Sequence, residues 1–134
     1  MSFCNICRAM TKSSKLVAVR RNKVLLVRRR KDGLWMFPGG RRQDNETDRD
    51  CIRREIKEKL PMLKIGRLQL WKEVTIRNKI SGRKMSDAIF VAKSAKGRLD
   101  IVGKKELDRA VWREPHGVRL TPTSRYIRNR LFSR

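Results

Sequence analysis

Apolar residues in this chain change their spacing between Gly40 and Pro61, and that change restricts the folds open to it. Upstream, "KLVAVRRNKVLLVRRRKDGLW" holds two short runs rich in Val and Leu, separated by "RRN" and closed by Lys-Asp-Gly. Such runs read as two strands with turns. Pro38, Gly39 and Gly40 are expected to stop the extended chain. Beyond them Ile52, Ile56 and Leu60 recur at i, i+4 and i+8, the buried stripe of a helix. Thr47 can cap it, Asp48 and Asp50 fall in the first turn where the macrodipole favours negative charge, and Pro61 ends it. Up to about Ser14 there is no periodicity. Residues 1–14 are therefore expected to form a flexible tail ahead of one domain over residues 15–134.

Downstream, "LKIGRLQLWKEVTIRN" and "RKMSDAIFVAKS", with "KISG" between them, predict a long hairpin, and "RAVW" one more strand. "LTPTSRYIRNRLFSR" predicts a last helix, with Thr121 as cap, Pro122 at its first position, and an apolar side at Ile127 and Leu131. Strands, helix, strands, helix is the order of an α/β fold with a mixed sheet and helices packed on it. A length of 134 residues suits one such domain, and 39% apolar content is adequate for its core.

Charge speaks to partners rather than to fold. Thirty-six Lys and Arg against 13 Asp and Glu give a net +23, a field that attracts polyanions such as phosphorylated metabolites or RNA. No stretch approaches the roughly 18 apolar residues of a membrane span, and "MSFCNICRAMTKSSK" lacks the apolar segment of a secretory signal. The expected compartment is the cytoplasm. Cys4 and Cys7 form a C-x-x-C, but a four-ligand zinc site needs two more ligands, and the remaining cysteine, Cys51, lies in the charged helix. Two thiols in a tail is the better reading. His116, between Pro115 and Gly117, reads as a loop residue.

The first helix carries the chemistry. At about 100° per residue, Glu55, Glu58 and Lys59 occupy a sector about 100° wide beside the apolar stripe. Two carboxylates there, with carbonyls freed by a Gly-Gly turn, are the all-oxygen donors that Mg²⁺ or Mn²⁺ prefers. The same spacing also fits a solvated acidic edge pairing with neighbouring Arg and Lys. Spacing alone admits both.

The wider pattern resembles a known family. Gly40, five residues, Glu46, seven residues, then Arg54-Glu55-Ile56-Lys57-Glu58 is similar to the Nudix hydrolase signature G-x5-E-x7-R-E-U-x-E-E-x-G-U, with U a bulky aliphatic, and "WMFPGG" resembles its usual lead-in. The resemblance implies a Nudix-type α/β/α sandwich with a mixed sheet. It implies that Glu55 and Glu58 bind divalent metal and help activate water, that the Gly40 carbonyl can join the metal, and that Arg54 and Glu46, with Gly39, hold the loop and helix in register. The implied reaction is water attack at phosphorus in a nucleoside diphosphate-linked or other polyphosphorylated substrate. "IGRLQLW", "SGRKMSDAIFVAK" and "GKKELDRAVW" are loosely similar to the branch that cleaves dinucleoside and diphosphoinositol polyphosphates.

Two positions depart from that signature. Lys59 replaces the second Glu of the E-E pair, and Pro61 replaces the later Gly. Lys59 puts a cation where a metal ligand is expected, and it can compete with the ion or touch a substrate phosphate. Glu106 matches a place where several members carry an additional carboxylate, and it is equally a surface partner for Lys104 or Lys105. Of Arg28, Arg29 and Arg30, alternate members should face opposite sides of the sheet, which makes Arg28 and Arg30 candidates for substrate phosphate. Isolated Trp35, Trp71 and Trp112 read as core. Two functions follow: a metal-dependent pyrophosphohydrolase, or a weakened Nudix-fold protein that binds RNA or another polyanion.

Overall fold

A computed structural model describes residues 10–77, 82–103 and 105–132; Cys4, Cys7 and the centre of the long hairpin lie outside them. β1 (Met10–Arg20) organises the sheet, because three strands pair with it. β7 (Lys84–Ala92) runs parallel to it from Met10↔Lys84 to Ala18↔Ala92. On the other edge, β4 (Gly39–Arg41) pairs antiparallel with Ser13, Ser14 and Lys15. β2 (Lys23–Arg29) then pairs with Val19 and Arg20. Arg21 and Asn22, at φ of 51° and 65°, make the turn between them, the left-handed pair that matches the twist of a tight hairpin. β3 (Trp35–Met36) and β9 (Leu107–Arg113) flank β2, and β6 (Gln69–Arg77) closes the far edge on β7. The result is a mixed seven-stranded sheet, with β5 (Leu63–Ile65) and β8 (Ala95–Gly97) as a separate ribbon.

Three expectations are corrected. β1 begins at Met10, so residues 10–14 belong to the sheet and not to a tail. Ser13 and Ser14 are buried there, and a hydropathy pattern cannot reveal burial of a polar side chain. The Pro-Gly-Gly segment does not end extension, since Gly39 and Gly40 continue as β4. Leu63–Ile65 leaves the expected hairpin to pair with β8.

α1 (Asp48–Lys59) starts with a reciprocal cap: Asp50 donates its backbone N–H to Thr47 Oγ1 at 3.1 Å, and Thr47 donates its own to Asp50 Oδ2 at 3.2 Å. Leu60 ends the helix ahead of Pro61. α2 (Pro122–Leu131) has Pro at its first position, but Thr121 makes no side-chain cap bond. Instead Thr123 donates to the buried Asp87, and Ser124 accepts from Phe37 N–H at 3.0 Å, so the sheet itself receives that helix end.

Strand alternation builds an α/β/α sandwich with a core on each side of the sheet. Leu16, Leu25 and Val27 pack toward Ile52, Ile56 and Leu60 of α1. Val17, Val24 and Leu26 pack toward Ile127 of α2, with Phe37 fully buried among them. Trp35 is buried, while Trp71 and Trp112 are half-buried against the cores. His116 sits in a loop within 2.7 Å of the Phe132 carbonyl. No helix among the described residues is long and apolar enough to cross a membrane.

Candidate active site

β4 brings the glycine turn against α1. Gly40 lies opposite Ser14, and a Cβ on Gly40 would stand 2.3 Å from Glu55 Oε1. A side chain there would occupy the space the carboxylate uses. Ser14 donates to Asp48 Oδ1 at 3.3 Å, and Cys51 Sγ–H to the Gly40 carbonyl at 3.4 Å, so the first turns of α1 are pinned to the same two strands.

Arg54 joins the acidic groups. Its Nε and Nη2 reach the two oxygens of Glu46 at 2.6 and 3.1 Å, a two-pronged pairing. Nη2 also donates to the Arg41 carbonyl at 3.0 Å. Nη1 approaches Glu55 Oε1 at 3.2 Å and Glu58 Oε1 at 3.3 Å. One guanidinium thus holds loop, helix and both candidate ligands. Gln43 N–H donates to Glu46 Oε1 at 2.9 Å and fixes the loop side.

These contacts set the charge states. Arg54 chiefly, with the Gln43 amide, holds the Glu46 carboxyl down at about 2. Burial pushes Glu55 above its ordinary value, and the nearby charges of Lys59 and Arg54 oppose that rise. A carboxyl depressed on folding adds stability above its unfolded value, near 4.5 for Glu46, and that contribution is lost as pH falls through about 2. Thermal melts should therefore show wild type losing stability over this window. Glu46→Gln should be less stable at pH 7 and flatter across the same range; identical pH profiles would refute the assignment.

Lys59 stands between two acids, Glu55 of its own helix and the distant Glu106. It pairs with Glu106 and stands 4.0 Å from Glu55 Oε2. Glu106 is thus beside the site, where Lys59 pairs with it and lowers its pKa; Lys104, one of the neighbours expected to pair with it, lies outside the described residues. Arg28 is different. It lies on the α2 face, pairs with Asp108 through two bonds of 2.8 and 3.0 Å, and sits 5.8 Å from the Trp35 ring. Arg29 follows Leu25 and Val27 in the alternation of β2 and falls on the α1 side. There, with Lys31, Lys105 and Glu106, it lines a cavity of about 370 Å³ next to the Lys59–Glu106 pair. Arg30 is exposed, and its N–H donates to the Glu106 carbonyl at 2.8 Å. Arg29 is therefore the cation that sequence reasoning missed. Lys15, opposite Gly39, is another: burial lowers its pKa, while the charges of Asp87 and Glu55 act to raise it.

Among the described residues no group of three or more His, Cys, Asp or Glu side chains is arranged as a metal site. Glu55, Glu58 and the Gly40 carbonyl are nonetheless hard oxygen donors within one small region, which suits an ion that keeps most of its waters and takes one or two carboxylates.

The family profile described as the NUDIX domain matches residues 10–132. A search of curated protein sequences finds no significant match. Among solved structures, the chain is similar to a MutT NUDIX hydrolase from Burkholderia pseudomallei, at 22% identity and a TM-score of 0.79, covering 87% of this chain and 94% of that one. A mutator MutT protein from Bacillus halodurans matches at 16% identity and 0.73, over 90% and 81% of the two chains. A NUDIX hydrolase from Nitrosomonas europaea gives 17% and 0.73, over 87% and 84%. At these identities the structures speak for the fold, and the sandwich described above is theirs. With the family profile spanning nearly all of its length, the chain belongs to the Nudix hydrolase family.

Proposed function

We propose that this protein is a metal-dependent pyrophosphohydrolase acting on a nucleoside diphosphate-linked or other polyphosphorylated substrate. The observation that carries this reading is the convergence of Glu55 and Glu58 on Arg54 Nη1 beside a glycine whose missing side chain leaves room for the carboxylate. Glu55, Glu58 and the Gly40 carbonyl are the groups that would hold Mg²⁺ or Mn²⁺. When bound, such an ion neutralises phosphate charge and lowers the pKa of a water. Arg54 keeps the two carboxylates in place, and Glu46 keeps Arg54 in place. Arg29, Lys31 and Lys105 around the neighbouring cavity supply cations for substrate phosphates.

Phosphate release from nucleotide sugars, dinucleoside polyphosphates, nucleoside triphosphates and capped RNA, with and without Mg²⁺ or Mn²⁺, tests the proposal. Equal rates in chelator and in Mg²⁺, from protein free of contaminating hydrolase, would overturn it.

A second reading, a catalytically weakened protein, is favoured by one contact, the pairing of Lys59 with Glu106 and its approach to Glu55. On the enzymatic reading Lys59 competes with the ion. Lys59→Glu then removes a cation and adds a carboxylate, so Mg²⁺ should bind more tightly and kcat should rise at subsaturating metal. If Lys59 instead grips phosphate, the same change raises KM and leaves metal affinity unchanged. A metal titration with unchanged or weaker Mg²⁺ affinity makes Lys59 a substrate-binding residue.

A further inference from the structure

α1 carries acids on one flank and bases on the other. Arg49, Arg53 and Lys57 recur at i, i+4 and i+8, and at about 100° per residue they lie across the Ile52 and Ile56 stripe from Glu55. Two cavities lie along this basic stripe. At its start, one of about 410 Å³ is lined by Arg49 with Arg67 and Lys93, over Leu70 and Val91. At its end, one of about 240 Å³ is lined by Arg53 and Lys57 with Lys64, beside Pro61. Cations thus stand on both walls of each cavity.

All six cations are exposed, and none forms an ion pair among the described residues, whereas Arg28, Arg29, Arg42, Arg54, Lys59 and Arg98 each have an acidic partner. Arg49 is held 5.2 Å from the Phe90 ring centre, which fixes its guanidinium at the cavity wall. Successive cations of the stripe rise about 6 Å along the helix, four residues at about 1.5 Å each, a step comparable to that between phosphates of a polynucleotide. The cavities also present apolar surface: Leu70 is 48% exposed, and Pro61 is exposed beside the second.

We propose that this flank of α1 binds a single strand of nucleic acid through its phosphate backbone, with bases against the Leu70 and Pro61 surfaces. Paired walls track a backbone, as in grooves that hold single strands without reading sequence. An inorganic polyphosphate chain has the charge but nothing to place on the apolar floor. A duplex presents its bases inward and would leave that floor uncovered. The flank lies away from Glu55 and Glu58, so binding and hydrolysis are separate properties of one helix.

The test is fluorescence anisotropy with a labelled single-stranded oligonucleotide of about 12 nucleotides at about 0.15 M salt. The triple variant Arg49→Gln, Arg53→Gln, Lys57→Gln should weaken binding at least about tenfold and reduce the salt slope by about 2, at roughly 0.7 per lost contact. A control, Arg125→Gln, Arg128→Gln, Arg130→Gln on α2, removes the same charge and should change affinity less than about twofold. Arg49→Lys with Arg53→Lys should retain binding, which separates lost contacts from lost fold. Equal weakening by both triple variants would reduce the interaction to net charge and overturn the proposal. So would displacement of the oligonucleotide by duplex, or by polyphosphate of equal phosphate content, as effectively as by unlabelled strand.

Discussion

Glu55→Gln is expected to lower hydrolysis at least about a hundredfold, the usual scale for deleting one preorganised group that stabilises developing charge. The amide keeps the size of the side chain and an oxygen for Arg54 Nη1 at its present 3.2 Å, so the helix and its packing should persist. What is lost is the negative charge. Because that charge sits half-buried beside Gly40, solvent cannot replace it. Glu58→Gln should act in the same direction, while Glu106→Gln, at a position 75% exposed, should cost far less. The measurement is kcat/KM at saturating metal, with circular dichroism and a melting curve for each variant. A fall below about tenfold for Glu55→Gln in a folded protein would remove Glu55 from the proposed machinery.

Adjacent glycines should fail in different ways. A Cβ on Gly39 would lie 1.9 Å from the Ser14 carbonyl oxygen, a backbone atom held in the β1–β4 ladder. Nothing flexible can yield there, so Gly39→Ala must part the two strands. It should destabilise the domain by about 3 kcal/mol, the upper end of ordinary overpacking, read as a lower urea midpoint. The three atoms nearest a Cβ on Gly40 all belong to the Glu55 carboxylate, at 2.3 to 2.9 Å. That side chain can swing away, and Gly40→Ala should keep most of its stability while losing activity comparably to Glu55→Gln. Equal destabilisation of both variants, or full activity in Gly40→Ala, would show that the close approach to Glu55 does not matter.

How much could be read in the sequence depended on how local the determining contacts are. Thr47, Asp50 and the Ile52, Ile56, Leu60 stripe act within a few residues, and α1 follows from them. Glu46 and Arg54 lie one loop apart, and their pairing is visible as spacing. The Lys59–Glu106 contact, by contrast, joins helix and distant loop, so Lys59 could be flagged as foreign to its motif but not given its partner. Arg28 and Arg29 were separable only in part. Alternation puts Arg29 on the face of Leu25 and Val27, but the cavity it lines is completed by Lys105 and Glu106, far off in the sequence. The start of β1 was hidden because Ser13 and Ser14 are buried through strand pairing and the bond to Asp48, not through apolarity.

The position of β1 at the centre of the sheet also bears on the order of assembly. Met10 meets Lys84, and Ala18 meets Ala92, in a parallel register that spans much of the chain. β2 waits in the same way for β9. Closing such long loops is entropically slow compared with forming α1 or the β1–β2 turn. During synthesis the first strands therefore leave the ribosome well before their partners exist, with apolar faces such as Leu16 to Ala18 and Val24 to Val27 uncovered. The nascent domain passes through a stage in which its central strand has an open edge, and the basic residues at the ends of those strands, Arg20 and Arg28 among them, are the groups that resist pairing with another chain until β7 and β9 arrive.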